Sequence, residues 1–269
     1  MFDILQYTFF QSALIIGILS GIACGIIGVF IVIKKISFIS GSIAHASFGG
    51  IGIAYFLGIN PVLGALVFSI ISALGIGIIS KKNKSQEDAS IGAIWAIGMA
   101  IGLIFIYFTP GYAADLMSYL FGNILLPAKQ DLIYILILNG FILLSVWILF
   151  KWFVAIIFDE EFAILTNIKV FPLYLFLLVL IALSVVVLIR SVGVILVIAL
   201  LTLPASSAQL LSRRFKNIIF IAVGLAIFSN TTGIILSYYL NLPSGPIIIF
   251  TTAIVYLIIW LIKNIFKKH

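Results

Sequence analysis

The sequence predicts an all-α, polytopic integral membrane protein: a bundle of about nine transmembrane helices, with eight as the alternative count. Three observations predict it. Of the 269 residues, 64% are hydrophobic and only 9% charged, whereas a soluble domain carries about 25% charged residues. The apolar residues are gathered into continuous runs of the roughly 20 residues that a helix needs to cross the hydrocarbon core. The basic residues stand in short clusters between those runs, where topology signals belong. A β-barrel does not fit, because its strands alternate apolar and polar residues over about 10 positions.

The runs fall at roughly 10–33, 40–58, 61–80, 90–109, 131–152, 171–189, 192–211, 217–239 and 246–264. The first lacks a basic start and a small-residue cleavage site, so it reads as a span and not as a removed signal peptide. It ends at Lys34 and Lys35. The second and third are joined by a tight turn at Asn60-Pro61, and the third closes on Lys81, Lys82 and Lys84. The fourth leads into a long connection. The fifth ends near Lys151. The sixth and seventh are joined by a tight turn near Ser191. The eighth follows Arg213, Arg214 and Lys216, and the ninth runs into Lys263, Lys267 and Lys268. A re-entrant segment would reduce the count to eight. No soluble domain, linker or low-complexity tract interrupts the chain, which reads as one transmembrane domain over 1–269.

Nine spans with the N-terminus outside place thirteen of the fifteen Lys and Arg residues on one side and only Lys129 and Arg190 on the other. The positive-inside rule makes the rich side cytoplasmic, and with it the C-terminus. The net charge of +7 is therefore a topology signal and not a nucleic-acid footprint. Two connections are more than turns. The external segment 109–130 is too broken to span and suits an interfacial or half-inserted helix. The cytoplasmic segment 153–170 contains Phe158, Asp159, Glu160, Glu161, Phe162 and Ala163, three acids on otherwise basic terrain.

Within lipid, close helix contact depends on small side chains. The first span has Gly17, Gly21 and Gly25 at four-residue spacing. The second has Ser42, Ala46, Gly50 and Ala54, with Gly41, His45 and Gly49 on an adjoining stripe. The fourth has Gly92, Ala96 and Ala100. These stripes predict packing faces, with a sliding or pathway role as the alternative.

Ionisable groups inside spans are costly and often functional. His45 is the only histidine within a span. Its imidazole can bind a transition metal or bond to a neighbouring carbonyl in the packing. Asp115 opens the external segment, as a helix N-cap or as an acid at the outer access region. Cys24 is the only cysteine, so no disulfide within the chain and no zinc-knuckle spacing is possible. No His-Glu-x-x-His, Gly-x-Ser-x-Gly or Gly-Lys dipeptide occurs, which leaves no metalloprotease, hydrolase or Walker signature. The chain reads as not an enzyme, with no cofactor of its own. Any nucleotide energy must come from another polypeptide.

Six blocks in order then carry a resemblance: Ile43–Ser47, Ile91–Gly98, Asp115–Gly122, Phe158–Ala163, Val192–Ala205 and Leu242–Pro246. On these the chain resembles the permease subunits of ABC importers for zinc, manganese and iron, over nearly its whole length. The resemblance implies a type II importer-like permease in the cell (inner) membrane, working as a homodimer. It further implies two cytoplasmic ATP-binding subunits and an external metal-binding protein, with a divalent metal as substrate. Phe158–Ala163 then looks like the coupling helix that docks on the ATPase. The chain departs from the family at two places. Many members carry aspartate where Gly41 stands, and an acid where Asn241 stands at the outer access region. Two other readings remain open: a related importer for chelated metal of the siderophore or cobalamin type, and a self-contained channel or secondary transporter.

Overall fold

A computed structural model describes residues 6–82, 87–109, 122, 124 and 129–266. Among them, nine long helices and one short one run in sequence: α1 (Thr8–Lys34), α2 (Ser37–Phe56), α3 (Pro61–Lys82), α4 (Glu87–Phe108), α5 (Lys129–Phe158), α6 (Glu160–Leu165), α7 (Val170–Val192), α8 (Val194–Leu211), α9 (Phe215–Leu240) and α10 (Ser244–Phe266). The described residues contain no strand. Seven of the long helices are long and apolar enough to cross a membrane by themselves. The other two are α2, diluted by its serines, glycines and His45, and α8, whose apolar part is shorter.

Local chemistry sets the breaks. Lys35 ends α1 in the left-handed region at φ 63°, its N–H turned back to the Ile31 and Val32 carbonyls. Asn60 accepts the Val62 N–H at 2.9 Å and Pro61 follows it, a residue whose fixed φ suits a first helical turn. The expected turn near Ser191 lies instead at Gly193, the single residue between α7 and α8, at φ 87°. Only glycine adopts that conformation without a Cβ penalty, so the helix carries on through Arg190 and Ser191 to reach it. Likewise α5 continues through Phe153–Phe158 and takes in the first residues of the expected 153–170 connection. The sequence there stays apolar, and a lone Lys151 does not stop a helix that can lift its ammonium toward the interface.

The chain resolves into two compact units, each assembled from separated stretches: 1–35, 117–140 and 187–269 in one, 36–116 and 141–186 in the other. In the first unit α1 packs on α9 and α8, and α10 packs on both. A Cβ built on Gly17 would meet Ile234, one on Gly21 the backbone of Ile227, and one on Gly25 would lie 2.5 Å from Val223 Cα. Rising numbers on α1 meet falling numbers on α9, so the two run antiparallel at near backbone contact. Gly28 sits against the Leu201 carbonyl of α8. A side-chain bond crosses the α1–α9 seam, with Asn230 Nδ2 donating to the Gly17 carbonyl at 2.8 Å.

In the second unit α2 packs between α3 and α4. Gly50 and Gly64 face each other backbone to backbone, and Gly49 and Gly52 meet the Gly98 and Gly102 carbonyls. Numbers rise together along α2 and α4, so these helices run parallel, with α3 as the return stroke. The face of α4 that meets α2 is therefore Gly98 and Gly102. The expected stripe of Gly92, Ala96 and Ala100 points elsewhere: Ala96 and Ala100 are exposed and nothing lies within 4 Å of a Cβ on Gly92.

Candidate functional site

His45 stands on α2 within the α2–α4 seam. Its ring lies parallel to the indole of Trp95 on α4, with centroids 4.2 Å apart and planes 9° from each other. Phe38, two helical turns before His45 on α2, tilts against the same indole at 5.9 Å and 45°. Ser42 Oγ donates to the Ile91 carbonyl at 2.8 Å, a buried bond between the two helices one turn below the rings. Ala46 and Gly98 touch on the other side of them. The Nδ1 atom of His45 is buried, and no protein group among the described residues bonds to it. A buried polar atom without a partner is unusual in a folded protein.

No group of three or more His, Cys, Asp or Glu residues gathers among the described residues to hold a metal. Among the described residues His45 therefore belongs to no such group, where a tight divalent site uses several ligands. Gly41, one turn before it, is buried and carries no side chain that could help.

Asp159 caps α6, accepting the Phe162 N–H at 2.8 Å, in the manner of an N-cap that satisfies an otherwise orphaned donor. Glu160 and Glu161 fill the first turn, where negative charge complements the helix dipole. Ala163 is fully buried and anchors the turn, while Phe162 is 57% and Leu165 81% exposed. Thr166 Oγ1 closes the far end by donating to the Phe162 and Ala163 carbonyls. The result is a short, capped helix between α5 and α7. It has an acidic first turn and exposed apolar side chains at Phe162, Ile164 and Leu165, with Phe158 also exposed at the end of α5.

Asn241 closes α9 in the left-handed conformation at φ 52°. The Leu242 N–H returns to the Ser237 carbonyl at 3.2 Å, and Ser237 Oγ donates to the Leu242 carbonyl. Asparagine is the residue besides glycine that tolerates this conformation best, so position 241 has a local structural task. Asp115 lies outside the described residues.

Sequence reasoning did not single out Trp95 or Asn230. The block Ile91–Gly98 contains Trp95, and its only signal was a large aromatic among small residues. Asn230 sits in Ser229–Thr232, four polar residues in succession in the middle of a span. That run is itself a signal, because such residues bond across helices in lipid.

Helices built to cross a bilayer, with an imidazole, hydroxyls and carboxamides among their contacts, suit the passage of a solute. This is the build of a membrane permease. The chain belongs to the ABC 3 transport family, whose model matches residues 6–263. It is 34% identical over 258 residues to the manganese transport system membrane protein MntC of Listeria monocytogenes, covering 96% of this chain and 92% of that one. It is 44% identical over 235 residues to a probable metal transport system membrane protein of Chlamydia trachomatis, covering 85% and 80%. Among solved structures it superposes on PsaBC from Streptococcus pneumoniae in complex with a Fab, with a TM-score of 0.87 at 33% identity, over 96% of this chain and 93% of that one.

Proposed function

We propose that this permease carries divalent manganese into the cytoplasm, driven by ATP hydrolysis on a separate subunit and supplied by an external metal-binding protein. The α6 segment supports the coupling half of this reading most directly. An exposed, capped helix that carries Phe162, follows Phe158 at the end of α5 and has an acidic first turn is a ready docking element, and buried aromatic anchors dominate the energy of such contacts. The external N-terminus and cytoplasmic C-terminus follow from the charge count and put α6 on the ATPase side. A second copy of the chain completes the pathway, as in the homodimers that the family resemblance implies. Likeness to manganese transport proteins supports manganese as cargo. In this reading the helix stripe of Gly17, Gly21 and Gly25 holds α1 against α9, Asn241 lies at the outer end of the path, and His45 touches the ion in passing.

The test is uptake of radioactive manganese by cells expressing the permease with its ATPase, with zinc and iron as competitors. Manganese uptake that zinc and iron suppress only weakly is expected. Preferential uptake of zinc or iron would reassign the cargo, and uptake independent of the ATPase would overturn the importer reading. His45→Ala is expected to lower uptake while the complex still assembles. Glu161→Lys is expected to lower transport-linked ATPase activity, and a fully coupled variant would remove α6 from the docking role.

A further inference from the structure

We propose that Trp95 is the positioning residue for His45: its indole fixes the plane of the imidazole and favours that ring when it carries the charge of a bound cation. The proposal rests on the reading that His45 lies in the metal path, and the experiment below separates the two.

Four observations lead there. The imidazole and indole overlap face to face at 4.2 Å and 9°, close enough that neither ring rotates without the other giving way. The indole is itself fixed. The Ser42–Ile91 bond ties the helices one turn to one side of it, and the Ala46–Gly98 contact closes the other side. Phe38 bears on it from two turns down α2. Third, a histidine that ligates a metal is ordinarily oriented by a hydrogen bond from its other ring nitrogen. Nδ1 of His45 has no such bond among the described residues, so another force must set the ring plane, and the stack supplies it. Fourth, the face of an indole is electron-rich and attracts cations better than any other aromatic face, most strongly when desolvated. An imidazole that has given its lone pair to a divalent ion is electron-poor. The stack is therefore stronger in the metal-loaded state than in the empty one, and only such a differential contact improves binding of the ion. Trp95 touches neither the ion nor a reacting atom. It acts through His45.

The experiment measures initial rates of manganese uptake against concentration, in proteoliposomes holding the permease with its ATPase. The variants are Trp95→Ala, Trp95→Phe, His45→Ala and the double variant Trp95→Ala/His45→Ala. Trp95→Ala should raise the half-saturating manganese concentration about three- to tenfold, the factor a desolvated cation–π contact supports, with the maximal rate changed by less than about twofold. Trp95→Phe keeps a ring with a weaker face and should recover about half of that loss. The double variant should be no worse than His45→Ala alone, because the tryptophan has nothing left to position. Co-purification with the ATPase on size exclusion reports assembly for every variant. If Trp95→Ala does not assemble, the Phe variant carries the test through its own smaller rise, and an unchanged half-saturation there overturns the proposal. Losses that multiply in the double variant also overturn it, since they make Trp95 a packing residue. If His45→Ala takes up manganese like the wild type, the metal-path reading fails and the positioning role falls with it.

Discussion

Gly25→Ala puts one methyl group where the α1–α9 seam has no room. The new Cβ would lie 2.5 Å from Val223 Cα, 2.6 Å from its N and 2.7 Å from Cγ2. Two of these three atoms are backbone, so no rotamer change relieves the contact and the helices must part. Overfilling a close-packed contact costs about 1–3 kcal/mol. Against it stands the better helix propensity of alanine, at most about 1 kcal/mol. The steric term wins across most of its range, and a net loss of up to about 2 kcal/mol corresponds to a fall in Tm of up to roughly 8 °C for a chain of this size. Gly92→Ala is the matched control. Nothing lies within 4 Å of its Cβ, so only the propensity gain acts and Tm should hold or rise slightly. The assay is thermal unfolding of the purified chain in detergent, followed by intrinsic fluorescence. Equal Tm values for the two variants would refute the reasoning, because they would mean that the stripe of Gly17, Gly21 and Gly25 does not hold α1 against α9.

Asp159→Ala should cost about 0.5–2 kcal/mol of local stability at α6, read as faster proteolysis between α5 and α7, whereas Asp159→Asn should retain the cap. At Asn241, glycine should be tolerated and valine should lose about 1–2 kcal/mol, because a branched side chain resists the left-handed region; thermal unfolding distinguishes them. Gly41→Asp places a carboxylate one turn from His45 on the same helical face. It should lower the half-saturating manganese concentration and also the maximal uptake rate, as a second ligand holds the ion longer.

The helices were legible because the apolar runs are continuous and about one bilayer long. Their ends were less so. Arg190 and Ser191 look like a break, yet charge and hydroxyl near an interface do not stop a helix, while the positive φ of Gly193 does. The faces were partly legible. α4 holds two small-residue stripes, Gly92/Ala96/Ala100 and Gly98/Gly102, and periodicity alone does not say which one meets α2. That choice is made by tertiary contact, in which Gly49 and Gly52 approach the Gly98 and Gly102 carbonyls. His45 was legible as the one histidine inside a span. Its stack on Trp95 was not, because the two rings belong to different helices and meet only when α2 and α4 run parallel in register.

A carrier must let go of what it holds, and on the metal path proposed for His45 the chemistry around the ring favours release. One neutral imidazole offers a divalent ion a single nitrogen and no net charge. The position one turn before His45 that could add charge does not, because Gly41 has no side chain. A carboxylate at position 41 would strengthen attraction to the ion, and in a low-dielectric seam that attraction is hard to reverse. What remains is geometry. A ring already held in place by Trp95 gives up little rotational freedom when it binds, so a modest contact is enough to guide the ion without trapping it. The glycine contacts that bring α2 to near backbone distance from α3 and α4 serve the same proposed end, because they hold His45 and Trp95 in register. This is why the Gly41→Asp variant should bind better and transport worse: it deepens the well without lowering the barrier out of it.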